Sequence, residues 1–272
     1  MKIALEDSWV DVLSKACNGR EMTADKLAGF VGVDVGAIQS LLAGRLEVEL
    51  LAKVARPLGL HAVSLCDLAE GKSTPAEIPF PDGLAGFNTP FEDMTVNNYL
   101  AWDPSTQEAA VFDTGTDIDP LMDVVASREL RVTQIFLTHS HGDHVIEIDR
   151  LVEKTGATAW IGEREPLEGV STFPAGRAFT IGGLTIETRL TWGHSAGGIT
   201  YVIRGLGSSP VAIVGDSIFA RSVGGGRVSY EDAMGTIRSE ILTLPDQTIL
   251  CPGHGPLTTV GEEATRNPFF AV

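Results

Sequence analysis

Through the first 58 residues apolar side chains return every three or four positions: Leu27, Phe30 and Val31, then Ile38, Leu41 and Leu42, then Leu50, Leu51, Val54 and Leu58. That spacing lays an apolar stripe along each of several short helices, and Thr23 and Asp34 are placed to cap two of them. Residues 1–74 are therefore expected to form a small all-α domain. From 75 to 90 the pattern breaks at four prolines, Pro75, Pro79, Pro81 and Pro90, and the stretch reads as an extended linker. Beyond it the rhythm becomes that of strands. Thr95–Trp102 and Ala109–Phe112 flank the turn-like Asp103-Pro-Ser-Thr-Gln and predict a hairpin. Val132–Leu137, Ala157–Ile161, Leu184–Leu190, Ile199–Arg204, Val211–Val214 and Thr248–Cys251 predict further strands, with helices over Asp119–Glu129, Ile146–Thr155 and Tyr230–Leu242. Strands and helices mixed in this way imply an α/β domain over 91–272, a sheet core covered by helices.

Composition narrows the partners. The chain of 272 residues has room for one large domain and one small one. Its net charge of −16 counts against affinity for nucleic acid backbone or anionic lipid. The order Leu27-Ala28, Gly32-Val33, Ile38, Leu41-Leu42 and Gly44, followed by Leu50 to Leu60, resembles the helix-turn-helix of phage-repressor-type domains. The segment equivalent to a recognition helix, Asp34 to Leu42, offers Gln39 and Ser40 but no Lys or Arg. Phosphate contacts dominate DNA affinity, so nucleic acid is not the expected partner. The helical domain is expected instead to join two chains as a homodimer or to cover a substrate. Met1 to Val12 carries Glu6, Asp7 and Asp11 and lacks the basic flank and apolar core of a secretion signal. No run approaches the eighteen or so apolar residues of a membrane span, so a cytoplasmic chain is expected. The three cysteines, Cys17, Cys66 and Cys251, are too scattered for a disulfide framework.

Candidate chemistry concentrates in Phe136-Leu-Thr-His-Ser-His-Gly-Asp-His-Val145, where a strand of apolar residues runs into four metal-ligand side chains, His139, His141, Asp143 and His144. Extended alternation would send His139, His141 and Asp143 one way and His144 another. Of the six histidines, His194 in Trp-Gly-His-Ser-Ala-Gly-Gly and His254 in Pro-Gly-His-Gly-Pro also sit among glycines. Imidazole and carboxylate suit zinc, iron or manganese. Thr138, Ser140 and Ser195 place hydroxyls near these ligands. Arg221 and Arg227, in the loop Ala220-Arg-Ser-Val-Gly-Gly-Gly-Arg227, are candidates to meet an anionic substrate.

The His-X-His-X-Asp-His signature, then His194, then Asp216 in Ile-Val-Gly-Asp-Ser, then His254, resembles the metallo-β-lactamase-fold hydrolases, and most of all their glyoxalase II (hydroxyacylglutathione hydrolase) branch. The tail Gly253 to Phe269 is similar to the end of single-domain members. The resemblance covers about residues 80–272. It implies a four-layer αββα sandwich with two divalent metal ions, most readily zinc, at one open edge. His139, His141 and His194 would hold the first ion, Asp143, His144 and His254 the second, and Asp216 would bridge. It also implies hydrolysis of a small-molecule thioester or ester by a metal-bridging hydroxide that Asp143 orients. The same branch includes persulfide dioxygenases, whose single iron is held by two histidines and an aspartate, matched here by His139, His194 and Asp216. A DNA-binding regulator with a sensor domain of this fold is the non-enzymatic alternative. Two departures stand out. Val145-Ile146-Glu147 follows the signature where many members have small residues, and the chain stops at Val272, without the C-terminal helical domain that carries much of the thiol contact in full-length glyoxalase II.

Overall fold

The structure, a computed structural model, describes residues 3–271. Among the described residues, five short helices come first: α1 (Trp9–Gly19), α2 (Ala24–Val31), α3 (Val35–Leu42), α4 (Val48–Ala55) and α5 (Ala62–Ala69). Ser8 caps α1 in a reciprocal box with Asp11. Thr23 caps α2 by accepting from Lys26 N–H, and Asp34 caps α3 by accepting from Gly36 N–H, at the positions the sequence predicts. Between α2 and α3 the chain turns at Gly32, whose φ of 70° is open to glycine at little cost. Leu13, Leu27, Ile38, Leu41 and Leu51 bury the inner faces of these helices, and Leu58, in the turn after α4, is buried with them.

The sandwich begins with β1 (Leu84–Phe91), β2 (Met94–Trp102), β3 (Glu108–Phe112), α6 (Asp119–Ser127), β4 (Arg131–Phe136), a single turn α7 (Gly142–Val145), α8 (Ile148–Thr155), β5 (Thr158–Gly162) and β6 (Ser171–Phe173). It continues with β7 (Ala178–Ile181), β8 (Leu184–Leu190), β9 (Ile199–Arg204), β10 (Val211–Gly215), the small ribbon β11 (Ile218–Phe219) and β12 (Ser222–Val223), α9 (Tyr230–Thr236) with a π-helical extension over Ile237–Ile241, β13 (Ile249–Pro252), β14 (Thr258–Thr259) and α10 (Val260–Arg266). Among the described residues, one sheet has the order β1-β2-β3-β4-β5-β6 and the other β14-β13-β10-β9-β8-β7.

Period-two alternation decides what each sheet face meets. Ala110, Phe112 and Phe136 point between the sheets and meet Tyr201, Ile213 and Cys251 from the other side. Val111 and Ile135 point outward to α6 and α8 through Leu121 and Leu151. Val202, Ala212 and Val214 point outward from the second sheet toward α9 and α10. The layers are therefore helix, sheet, sheet, helix. The second outer layer is thicker than the sequence reading anticipates. One continuous cluster of buried side chains runs from Leu13 and Leu51 of the N-terminal helices to Ile237 and Val260, so the helical unit and the sandwich share an apolar core.

Residues 84–90, which the proline count places in the linker, belong to β1 instead. Its pairing with β2 runs from Leu84 opposite Ala101 to Phe91 opposite Met94. β1 is an edge strand with one neighbour, where a residue lacking an N–H such as Pro90 is tolerated. Among the described residues no helix is long and apolar enough to cross a membrane.

Candidate metal centre

Four strand ends deliver the ligand-type side chains to one rim of the sandwich. β4 is followed by His139 and His141 and then by α7, which carries Asp143 and His144; β8 is followed by His194, β10 by Asp216 and β13 by His254. β10 and β13 are parallel neighbours, so the loops after them open at the same edge. The rim collects two groups, His139, His141, His194 and Asp216 in one and Asp143, His144 and His254 in the other, each with its ligand atoms within 4.8 Å of one another. His141 Nδ1 stands 2.9 Å from His139 Nε2 and 3.1 Å from His194 Nε2. Asp216 reaches both groups: its Oδ2 lies 3.3 Å from His194 Nε2 and 3.4 Å from His254 Nε2, and its Oδ1 lies 3.4 Å from His144 Nε2.

The grouping differs from simple alternation. Asp143 sides with His144, because residues 142–145 form a helical turn and are not extended. Asp143 Oδ2 is then 3.4 Å from His144 Nε2 and 3.2 Å from His254 Nε2.

Each imidazole is aimed by what its outer nitrogen touches. His194 Nδ1 donates to Gly224 O at 2.8 Å and His254 Nδ1 to Thr95 O at 2.7 Å. A carbonyl only accepts, so these Nδ1 atoms carry protons, and in each ring Nε2 is the nitrogen that faces the candidate ligand groups. His144 Nδ1 meets Asp113 Oδ2 at 2.9 Å, and Asp113 also accepts from Thr138 N–H at 2.7 Å and from Thr138 Oγ1 at 2.8 Å. Asp113 holds a left-handed φ of 54° to do this. The sequence reading passes over it, and its signal is a carboxylate immediately after a buried strand. Glu165 is a second unpredicted support, accepting from Ser195 Oγ at 2.9 Å beside His194. Thr138 is 3.0 Å from His139 Nδ1. The N-terminal unit takes part as well. Lys15 of α1 donates to Val223 O at 2.7 Å, one residue before the Gly224 carbonyl that orients His194.

Electrostatics supports a cation here. Burial pushes His139, His141 and His194 below the ordinary imidazole range, which keeps them neutral and ready to coordinate. Burial opposes charge on His144 and His254 too, yet it is outweighed: Asp113 and Asp216 raise His144 to about 10, and hydrogen bonds with Asp143 and Asp216 raise His254 to about 11. Burial raises Asp216, but His144 and His254 draw its carboxyl well below the usual range. The surplus of buried negative charge thus recruits protons that bound metal would replace. His144 Nε2 and Asp216 Oδ1 are buried without a hydrogen-bond partner and point at the same space, the mark of atoms set aside for a cation. At Gly253 a Cβ would fall 2.2 Å from Asp216 Oδ1, so only a glycine lets the backbone pass this close.

The two candidate arginines separate. Arg227 is exposed and near enough to help depress His141 and His194. Arg221 is 1% exposed and turned away from the rim: its guanidinium meets Glu262 Oε2 at 2.7 Å, Glu263 Oε1 and, through Nε, Ser73 Oγ at 2.9 Å. The expectation that Arg221 meets substrate is therefore corrected. Its charge is already matched inside the protein, where it ties the segment just after α5 to α10.

The profile of the family described as Metallo-beta-lactamase superfamily matches residues 92–254. A hydroxyacylglutathione hydrolase, GloC of Haemophilus influenzae, is 28% identical over 64% of this chain and 92% of its own length. A probable metallo-hydrolase, YqgX of Bacillus subtilis, is 29% identical over 61% of this chain and 89% of its own. Among solved structures, the B3 metallo-beta-lactamase BLEG-1 superposes with a TM-score of 0.61 at 27% identity, covering 69% of this chain and all of that one.

Proposed function

The chain belongs to the metallo-beta-lactamase superfamily, and from that premise we propose that it is a dinuclear metal-dependent hydrolase of thioesters or related esters, similar to glyoxalase II. The observation that carries this reading is the second group, Asp143, His144 and His254, set beside the first and joined to it by Asp216. In this reading His139, His141 and His194 would hold one ion, Asp143, His144 and His254 the other, and Asp216 would contact both. The imidazole and carboxylate set suits zinc, and iron or manganese as well.

When bound, two divalent cations supply a water acidic enough to attack at neutral pH and polarise a carbonyl oxygen. The protein's own share is positioning. Asp143, beside His254 at 3.2 Å, is placed to accept a hydrogen bond from the attacking water and aim it. The committed Nδ1 hydrogen bonds of His194 and His254 stop their rings from turning. The overall change is addition of water across the acyl bond, giving an acid and a thiol or alcohol.

The test is metal content per chain, measured on protein made without metal supplementation and matched to turnover of an acyl-glutathione thioester. Two ions per chain with turnover is the expected result. Asp143→Ala should cost on the order of 100-fold or more in turnover and keep the fold. One iron per chain, oxygen uptake on a glutathione persulfide and no thioester turnover would replace this reading with a mononuclear-iron dioxygenase.

A further inference from the structure

A cavity of about 670 Å³ lies beside the metal rim, and much of its wall comes from residues outside the 92–254 matched by the family profile. On the rim side it is bounded by Asn97 and Gly255. Asn97 Nδ2 donates to Pro252 O at 2.9 Å and to Gly255 O at 2.8 Å, so these two walls bracket His254. Thr89, also in the wall, accepts from Thr116 N–H at 3.1 Å, and Thr114 N–H donates to His144 O at 2.8 Å. Gly255 and Pro256, which line the cavity, directly follow His254, so the cavity adjoins the loop that carries that side chain. Residues 3–5 and the strap Thr74–Phe80 supply further parts of the cavity wall. The N-terminal arm closes directly on the His254 loop, since a Cβ at Gly255 would come 3.2 Å from Glu6 N.

The lining is mainly apolar, with Leu5, Ile78, Phe80, Phe87 and Leu257 among its side chains and the amides of Asn88 and Asn97 among its polar ones. Among the described residues no Lys, Arg or His lines the cavity, and Glu77 is its one charged side chain. Two carboxylates of a glutathione moiety would find no cation there, whereas an uncharged chain or ring would lose only contact with water. The volume falls in the roughly 300–1,000 Å³ range of small-molecule pockets.

We propose that this cavity receives the apolar acyl group of the substrate, so that the chain prefers thioesters or esters of medium-chain aliphatic or aryl acids. This rests on the hydrolase reading above. In the reaction the acyl carbon forms a bond to the oxygen of water as its bond to sulfur breaks; one proton of that water ends on the released thiolate and the carboxylic acid keeps the rest. The N-terminal unit and the strap then set specificity by completing a wall that the sandwich alone leaves open.

The test uses the full chain and two readouts. Binding of N-phenyl-1-naphthylamine, a neutral fluorescent probe, is measured with the metal chelated, in wild type and in Ile78→Trp and Ile78→Asp. Turnover is measured on octanoyl and acetyl thioesters of N-acetylcysteamine. The expected result is probe binding that weakens at least tenfold in both variants, with the octanoyl-to-acetyl ratio of kcat/KM falling at least tenfold. One variant fills the cavity and the other charges it, so a shared loss is specific to the site. Equal turnover of the two thioesters by wild type, or probe binding indifferent to both substitutions, overturns the acyl pocket and leaves the hydrolase reading standing. Variant-sensitive probe binding with no turnover of either thioester overturns the hydrolase reading and leaves an apolar-ligand site.

Discussion

Asp113 shows how much of the centre depends on a residue that never faces the reaction. Its carboxylate holds His144 at 2.9 Å and the Thr138 backbone N–H at 2.7 Å, joining the end of β3 to the ligand loop after β4. Asp113→Ala should lower metal affinity roughly 10–100-fold, read by competition with a chromophoric chelator. An unchanged affinity would show that His144 is held by its packing alone. The candidate ligands, which the structure brings together at one rim, stood out in the sequence because imidazole and carboxylate are crowded between glycines at predicted strand ends. Asp113 was not, because one carboxylate in Asp-Thr-Gly reads equally well as the start of a helix. Arg221 misled for a related reason. Its partners Glu262 and Glu263 lie some forty positions later, and no local pattern announces a buried pair.

At the scale of elements, the β2–β3 hairpin is tied to the other sheet by Asp103, which accepts from Ser105 N–H at 2.9 Å and from Gly183 N–H at 2.7 Å. Those backbone hydrogen bonds hold its carboxyl at about 2, below the ordinary 3.8. A depressed carboxyl stabilises the fold above its unfolded value, and that contribution fades as pH falls through 3.8 toward 2. Asp103→Asn should therefore flatten the loss of stability over that interval, seen by comparing denaturant midpoints of the two proteins across pH. Most elements were foreseen where periodicity was strong, including the capped α2 and α3 and the strands β4, β8, β9 and β10. β1 was missed because prolines outvoted its pattern, although an edge strand tolerates Pro90. The turn α7 was missed because four residues are too few to show a helical period.

For the whole molecule, the shared core between the N-terminal helices and the sandwich makes independence of the two units doubtful on physical grounds. A chain cut to residues 76–272 would expose the apolar surface around Ile237 and Val260 that the helices now cover, and it would also lose the part of the cavity wall formed by residues 3–5, Thr74 and Pro75. Apolar surface returned to water costs about 25 cal/mol per Å², against a typical folding margin of only about 5–15 kcal/mol. The fragment is expected to be insoluble, and a soluble fragment with a cooperative melt would show instead that the sandwich stands alone. The ligand set also has a mechanical side. His139, His141, Asp143 and His144 follow a strand of one sheet, whereas His194, Asp216 and His254 follow strands of the other. Metal held between them is a rivet through both halves, and whatever binds only the folded chain adds its free energy to folding, ~2.7 kcal/mol at a hundredfold excess over Kd. Chelation should lower the melting temperature by an amount that tracks free metal concentration. Loss of metal would then act twice, silencing the site and raising the share of unfolded chain open to proteolysis.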